Sequence, residues 1–287
     1  MFWAVLSFLT AISEATKDLF SKKGLQKIDE YIVAWSLRIF SLIFLLPLLF
    51  FIEIPVVDKT FFFALLIGGS MDVITSVLYM KAIKSSPLSV TIPMITFTPV
   101  FLLITSPIIL GEFPTAFGLL GIFLIVFGSY FLNIKEIRKG FSKPLKALVN
   151  EKGPVIMLCV AFIWSISANI DKIGVQHSNP VFWVIAINIF LSIALFPIVY
   201  IKSRKNLNKI SKNAKMLLPI GLFSALGLVF QMTAITMTIV PYVISIKRIS
   251  AIISVIYGFV FFKEKDIKQR FFGASIMILG VILITLF

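Results

Sequence analysis

The chain has a single cysteine, Cys159, and a single histidine, His177, in 287 residues. A lone thiol cannot close an intrachain disulfide, and no Cys/His cluster remains to hold zinc. Cys159 sits in an apolar run and reads as a small core residue, and His177 falls in a connection. Acids are scarce too, with 13 Asp and Glu against 27 Lys and Arg. There is no Walker A run, no glycine-rich dinucleotide fingerprint and no nucleophile elbow. The reading is of a non-enzyme with no catalytic residues, no cofactor and no metal, unable to drive work from ATP by itself.

What the chain has is apolar length. Hydrophobic residues make up 59% of it, well above the share in a soluble domain. Runs of about twenty apolar residues recur from end to end, and each is long enough to cross a bilayer. Ten helical spans are expected, near 2–21, 31–52, 60–83, 87–110, 115–134, 154–174, 181–201, 216–238, 241–262 and 270–287. The first run lacks a basic leading segment and carries Glu14, Lys17 and Asp18, so it reads as a span and not a cleavable signal. Span four holds Pro93, Pro99 and Pro107 and is expected to be kinked or interrupted.

The two halves of the chain repeat. An offset of 152 aligns Gly69 with Gly221, Met80 with Met232, Glu112 with Glu264, Gly121 with Gly273 and Gly128 with Gly280. An odd number of spans per half sets the copies upside down relative to one another. The expected fold is therefore an all-α polytopic membrane protein of ten transmembrane helices arranged as two inverted five-helix repeats, 1–134 and 154–287. A basic linker at 135–153 joins them. In such architectures the binding site lies near the midplane between the repeats.

Charge sets the orientation. The connections after the odd-numbered spans hold 21 of the 27 basic residues, which places them in the cytoplasm and both termini outside, in a plasma or inner membrane. A net charge of +14 spread over these connections is a membrane-topology pattern, so lipid and not nucleic acid is the expected partner.

The sharpest site candidates are Lys247 and Arg248, well inside span nine. A cation near a span centre costs ~2.5–3.5 kcal/mol, so the pair should face water, acids or a ligand. Counted at helical spacing from Lys247, Ser250, Ala251, Ser254 and Gly258 form a stripe of small residues on one face. Asp72, Thr75, Ser76 and Tyr79 give span three a polar face. Arg38 in span two and its repeat equivalent Asn188 in span seven are further polar groups, as is Gln231 in span eight. Glu14, Lys17 and Asp18, near the cytoplasmic end of span one, and Asp171 in span six are gate or coupling candidates.

The two five-span repeats, the Gly111–Glu112 step after span four and FFKEK at 261–265 after span nine resemble the EamA family of the drug/metabolite transporter superfamily. Ile246–Lys247–Arg248 is similar to the Lys-Arg pair with which triose-phosphate translocators hold a substrate phosphate. Those relatives also use a lysine in span four. Here the equivalents of Lys247 and Arg248 are Ile95 and Thr96, and span four has no lysine. Relatives are usually described with cytoplasmic termini, the reverse of what the charges indicate.

The resemblance implies a secondary transporter of a small anionic or zwitterionic metabolite, working by alternating access as a monomer or homodimer. Export of amino acids or hydrophobic amines, a flippase-like role on a lipid carrier, and a non-transporting membrane scaffold remain open alternatives.

Overall fold

A computed structural model describes residues 1–25, 27–85, 92–133, 151–262 and 267–286. The linker expected at 135–153 falls mostly outside them, as does the K-E-K part of the span-nine motif. Among the described residues all regular structure is helical. The first repeat contains α1 (Phe2–Leu25), α2 (Glu30–Leu45, extended by a tight 3-10 turn over Leu46–Phe50) and α3 (Lys59–Ser85). It continues with a 3-10 segment Ile92–Phe97 leading into α4 (Thr98–Leu110), and with α5 (Ala116–Asn133). The second repeat contains α6 (Lys152–Gln176), α7 (Pro180–Ser203), a short α8 (Asn208–Lys212) and α9 (Ala214–Met237). Span nine is divided into α10 (Val240–Lys247) and α11 (Ser250–Phe262), and α12 (Ile267–Leu286) follows. Five of the described segments are uninterrupted and apolar enough to cross a membrane alone. The chain is a polytopic α-helical membrane protein.

The helix starts follow from local chemistry. Asp29 caps α2 by accepting the Ile32 N–H at 3.1 Å, and Asn179 caps α7 by accepting the Phe182 N–H at 2.8 Å, with Pro180 in the first turn. Side-chain oxygens at these positions satisfy backbone donors that a helix start leaves over. At the end of α4, Gly111 takes a left-handed conformation with φ 69°, which a side chain resists.

The chain folds into two compact units that cut across the repeats. One comprises residues 2–73 and 170–237, the other residues 74–169 and 238–287 together with Met1. Within each, the internal repeat is visible in the packing. In the first unit a Cβ on Gly69 would lie 2.4 Å from the ring of Phe190, and one on Gly221 would lie 2.5 Å from Phe40. In the second, α5 and α12 meet backbone to backbone. A Cβ on Gly121 would lie 2.6 Å from the Gly280 carbonyl, and one on Gly128 equally close to that of Gly273. Gly121 and Gly273 are repeat equivalents, as are Gly128 and Gly280, so each contact is the other's image. Spacing by seven residues keeps both glycines of a helix on one face, and small residues there let membrane helices approach closely.

One expectation is reversed. Cys159 is exposed on α6, not in the core. Val155, Cys159 and Phe162 lie at i, i+4 and i+7 and are all exposed, so they share an apolar face turned outward. In a membrane protein the outside is as apolar as the inside, so an apolar run does not separate core from lipid-facing residues.

Candidate functional site

In the second unit, the cation pair sits where span nine breaks. Lys247 is the last residue of α10, and Arg248 and Ile249 form the junction before α11 starts at Ser250. The junction is carried by i→i+3 bonds: Arg248 N–H to Ser245 O at 3.0 Å, Ile249 N–H to Ile246 O at 2.9 Å, and Ala251 N–H to Arg248 O at 3.0 Å. Such tightening leaves the α-helical ladder out of step. Lys247 lies in the last turn of α10, where the negative end of the helix dipole favours a cation. Both side chains are half-buried. Because the break separates Lys247 from Ser250, the stripe counted through Ser254 and Gly258 does not continue the face of Lys247. Ser254 is a half-buried residue of α11 with its own helical phase.

Span four breaks at the equivalent place. The 3-10 segment gives way to α4 at Thr98, which is Ser250 shifted by the offset of 152. There the Thr98 hydroxyl donates to the Ile95 carbonyl at 2.7 Å. Pro99 has no N–H to offer that carbonyl, so the hydroxyl takes the bond the proline forgoes. After α4, the left-handed Gly111 turns the chain so that the Glu112 carboxylate accepts the Val240 N–H at 2.8 Å. The Gly-Glu step thus closes the start of α10, the half-helix that ends in Lys247. A carboxylate at a helix start also suits the dipole.

Other polar groups of this unit are tied together. Trp164 donates its indole N–H to Thr75 at 3.1 Å and lies 6.0 Å from the ring of Tyr79, so part of the polar face of span three is bound to span six. A second cluster was not anticipated. Asn169 donates to the Thr105 hydroxyl at 3.1 Å and the Ser165 carbonyl at 2.8 Å, while Ser106 donates to Asn169 at 2.5 Å. Every member is buried, and the network joins α4 to α6 as hydrogen-bonded glue.

The first unit holds the remaining candidates. Glu14, Lys17 and Asp18 form a charge cluster, with Lys17 bridging both acids. Because α1 continues to Leu25, Glu14 stands near its middle, a correction to the expected place near the end. Arg38 is half-buried on α2, within electrostatic range of Lys17. Asn188 is fully buried; its amide donates to Val184 O at 2.7 Å, while its Oδ1 has no partner among the described residues. Asp171 accepts the Trp183 indole N–H at 3.0 Å. Gln231 is buried on α9, and Asp72 is half-buried on α3.

Two clasps close the ends of this unit. His177 and Asp58 approach to 2.9 Å. Asp58 also accepts the Phe61 N–H at 3.0 Å, and that bond, helped by His177, holds its carboxyl below the usual range. At the other end Asp29 receives Ser203 at 2.7 Å and Asn206 at 3.1 Å. Among the described residues no three His, Cys, Asp or Glu side chains gather in a way that could hold a metal ion.

Comparison with known proteins agrees with this architecture. The model of the EamA-like transporter family matches residues 1–134 and again residues 151–286. An uncharacterised transporter of Archaeoglobus fulgidus is 23% identical over 287 residues, spanning 98% of this chain and 97% of that protein. A protein of known crystal structure superposes with a TM-score of 0.77 at 14% identity, over 99% of this chain and 96% of that one. At that identity the likeness bears on the fold alone.

Proposed function

This chain belongs to the EamA-like transporter family, and on that premise we propose that it is a secondary transporter of a small anionic or zwitterionic metabolite, with Lys247 and Arg248 holding the anionic group. The observation that carries this reading is the coincidence of the cation pair with the break in span nine. Discontinuous helices are the device by which transporters place polar groups at membrane depth. An ammonium and a guanidinium there supply a point charge and a two-pronged fork for a phosphate or carboxylate. Tyr79 and Ser254, in the same unit, are the further contacts in this reading, while Asp72, Arg38, Asn188 and Gln231 are the candidate polar groups of the other unit. Glu14, Lys17, Asp18 and Asp171 would serve gating or coupling. The odd-numbered connections face the cytoplasm of a plasma or inner membrane, and the working unit is a monomer or homodimer.

A ligand that binds only the folded state stabilises it by mass action, by ~2.7 kcal/mol at a hundred times its Kd, and so raises the unfolding temperature. Purified protein screened against phosphorylated metabolites, carboxylates, amino acids and amines should respond to anionic or zwitterionic compounds. A response confined to amines would replace this reading with amine export, in which Asp72 and nearby aromatic rings make the contacts.

A further inference from the structure

The end of α7 carries a feature that the transport reading does not use. The apolar segment Pro180–Asn206 has 27 residues, about 40 Å at ~1.5 Å per residue. A hydrocarbon core of ~30 Å takes about twenty of them. Counted from the capped start at Asn179, the last turns from Tyr200 to Asn206 lie at headgroup level. There Lys202, Arg204 and Lys205 are exposed, and none of the three has an ion pair among the described residues. The nearby acid Asp29 accepts from the Ile32 N–H, Ser203 and Asn206, so its carboxylate is engaged locally. The same bonds fix the chain that carries Arg204.

Arg204 is also held in place from below. Its guanidinium lies 5.0 Å from the centre of the Tyr200 ring, a cation–π distance. Tyr200 lies 6.1 Å from Phe196, and Phe196 lies 5.8 Å from Trp35. This aromatic ladder descends from the basic end into the apolar span. Phe196, Tyr200 and Ile201 are all exposed, as a surface in contact with acyl chains requires.

We propose that Lys202, Arg204 and Lys205 form a binding site for the phosphate of an anionic phospholipid, whose acyl chain lies along the Tyr200–Phe196 ladder. A zwitterionic lipid presents the same phosphate with its charge cancelled, so net negative charge decides occupancy. The site stands independently of the substrate reading.

The test measures the unfolding temperature of the full chain in phosphatidylcholine bilayers with and without phosphatidylglycerol. Phosphatidylglycerol should raise it for the wild-type protein. The triple variant Lys202→Gln, Arg204→Gln, Lys205→Gln should lose most of that rise. A control, Lys209→Gln, Lys212→Gln, Lys215→Gln, removes equal charge from the same end but away from the ladder and should keep most of it. Tyr200→Leu retains every charge and should lose part of the rise, which keeps the test open if the first triple variant does not fold. Equal losses in the two triple variants, a full rise in the first, or an unchanged rise in Tyr200→Leu would overturn the proposal. So would an equal rise from inorganic phosphate in pure phosphatidylcholine, which would mark a free-anion site.

Discussion

Spans four and nine are broken at the same place in the repeat, yet only one break is charged. In span nine Lys247 ends α10 and Arg248 opens the junction; their repeat equivalents in span four are Ile95 and Thr96. The helix resumes at Thr98 in one and at Ser250 in the other. The shared part belongs to the architecture, since the helix breaks whether or not a cation is present. The unshared part is not required for the helix to restart. Span four resumes as an α-helix at the equivalent position without it, after a 3-10 segment in place of an α-helical one. Intramembrane charge carries a desolvation cost, so a pair kept in one copy alone points to a task that copy performs.

The largest effect should come from breaking the shared half. A Cβ on Gly121 or Gly280 would lie 2.6 Å from the other's backbone carbonyl, which no side-chain adjustment relieves. Gly121→Ala and Gly280→Ala should each destabilise the protein by ~1–3 kcal/mol, the usual range for overpacking. Because the contact is reciprocal, the two losses in melting temperature should be similar. A neutral substitution at either position would show that the symmetric contact does not hold the fold.

Changing the unshared half should spare the fold and impair the task. Lys247→Met and Arg248→Met keep much of the side-chain bulk and remove the charge. A hydrogen bond to a charged group contributes ~1.5–3 kcal/mol, so uptake of an anionic substrate should fall about 10- to 150-fold. The folded yield should hold, because desolvation of an ion no longer opposes folding and an acid left without its cation can take up a proton. Arg248→Lys should recover only part of the uptake if the contact is bidentate.

Arg38 and Asn188 sharpen the same comparison at smaller scale, as repeat equivalents of which one is charged. Asn188→Leu removes the amide bond to Val184 and also a buried acceptor without a partner among the described residues. These effects oppose each other, so stability should stay within ~1 kcal/mol of wild type. Uptake should fall if Asn188 touches the substrate, and a large loss of stability would assign it a structural role.

The smallest effect is expected at the clasps. Asp58 titrates below its ordinary value of 3.8 when folded. Its contribution to stability is therefore present above that value and lost as pH falls through the folded one. Asp58→Asn should melt slightly below wild type from pH 5 to pH 8, and the two curves should converge only below about pH 4. Convergence near pH 6 would contradict this assignment.

Much of this was legible in the sequence. Hydropathy located the apolar helices, five of which are long and apolar enough to cross a membrane among the described residues. The offset of 152 found the glycines that pack α5 against α12, because repeats preserve backbone contacts. The interruption of span four was signalled by its prolines. That of span nine was missed because Ile246 to Ser250 contains neither proline nor glycine. Carrying Pro99 across the offset to Ala251 would have located it. The same omission led the helical count from Lys247 to run through a break. The Asn169 network and the Trp183–Asp171 bond were also missed. Periodicity shows which face of a helix is polar, whereas a partner on a distant helix leaves no mark in local spacing. Cys159 was misplaced for a third reason, since lipid-facing and buried positions share one composition.

The most direct test reconstitutes the folded Lys247→Met, Arg248→Met double variant in proteoliposomes and follows uptake of an anionic substrate that stabilises the wild-type protein. The account predicts that the double variant keeps its fold and loses both uptake and ligand-induced stabilisation. Wild-type uptake by a well-folded double variant would contradict it.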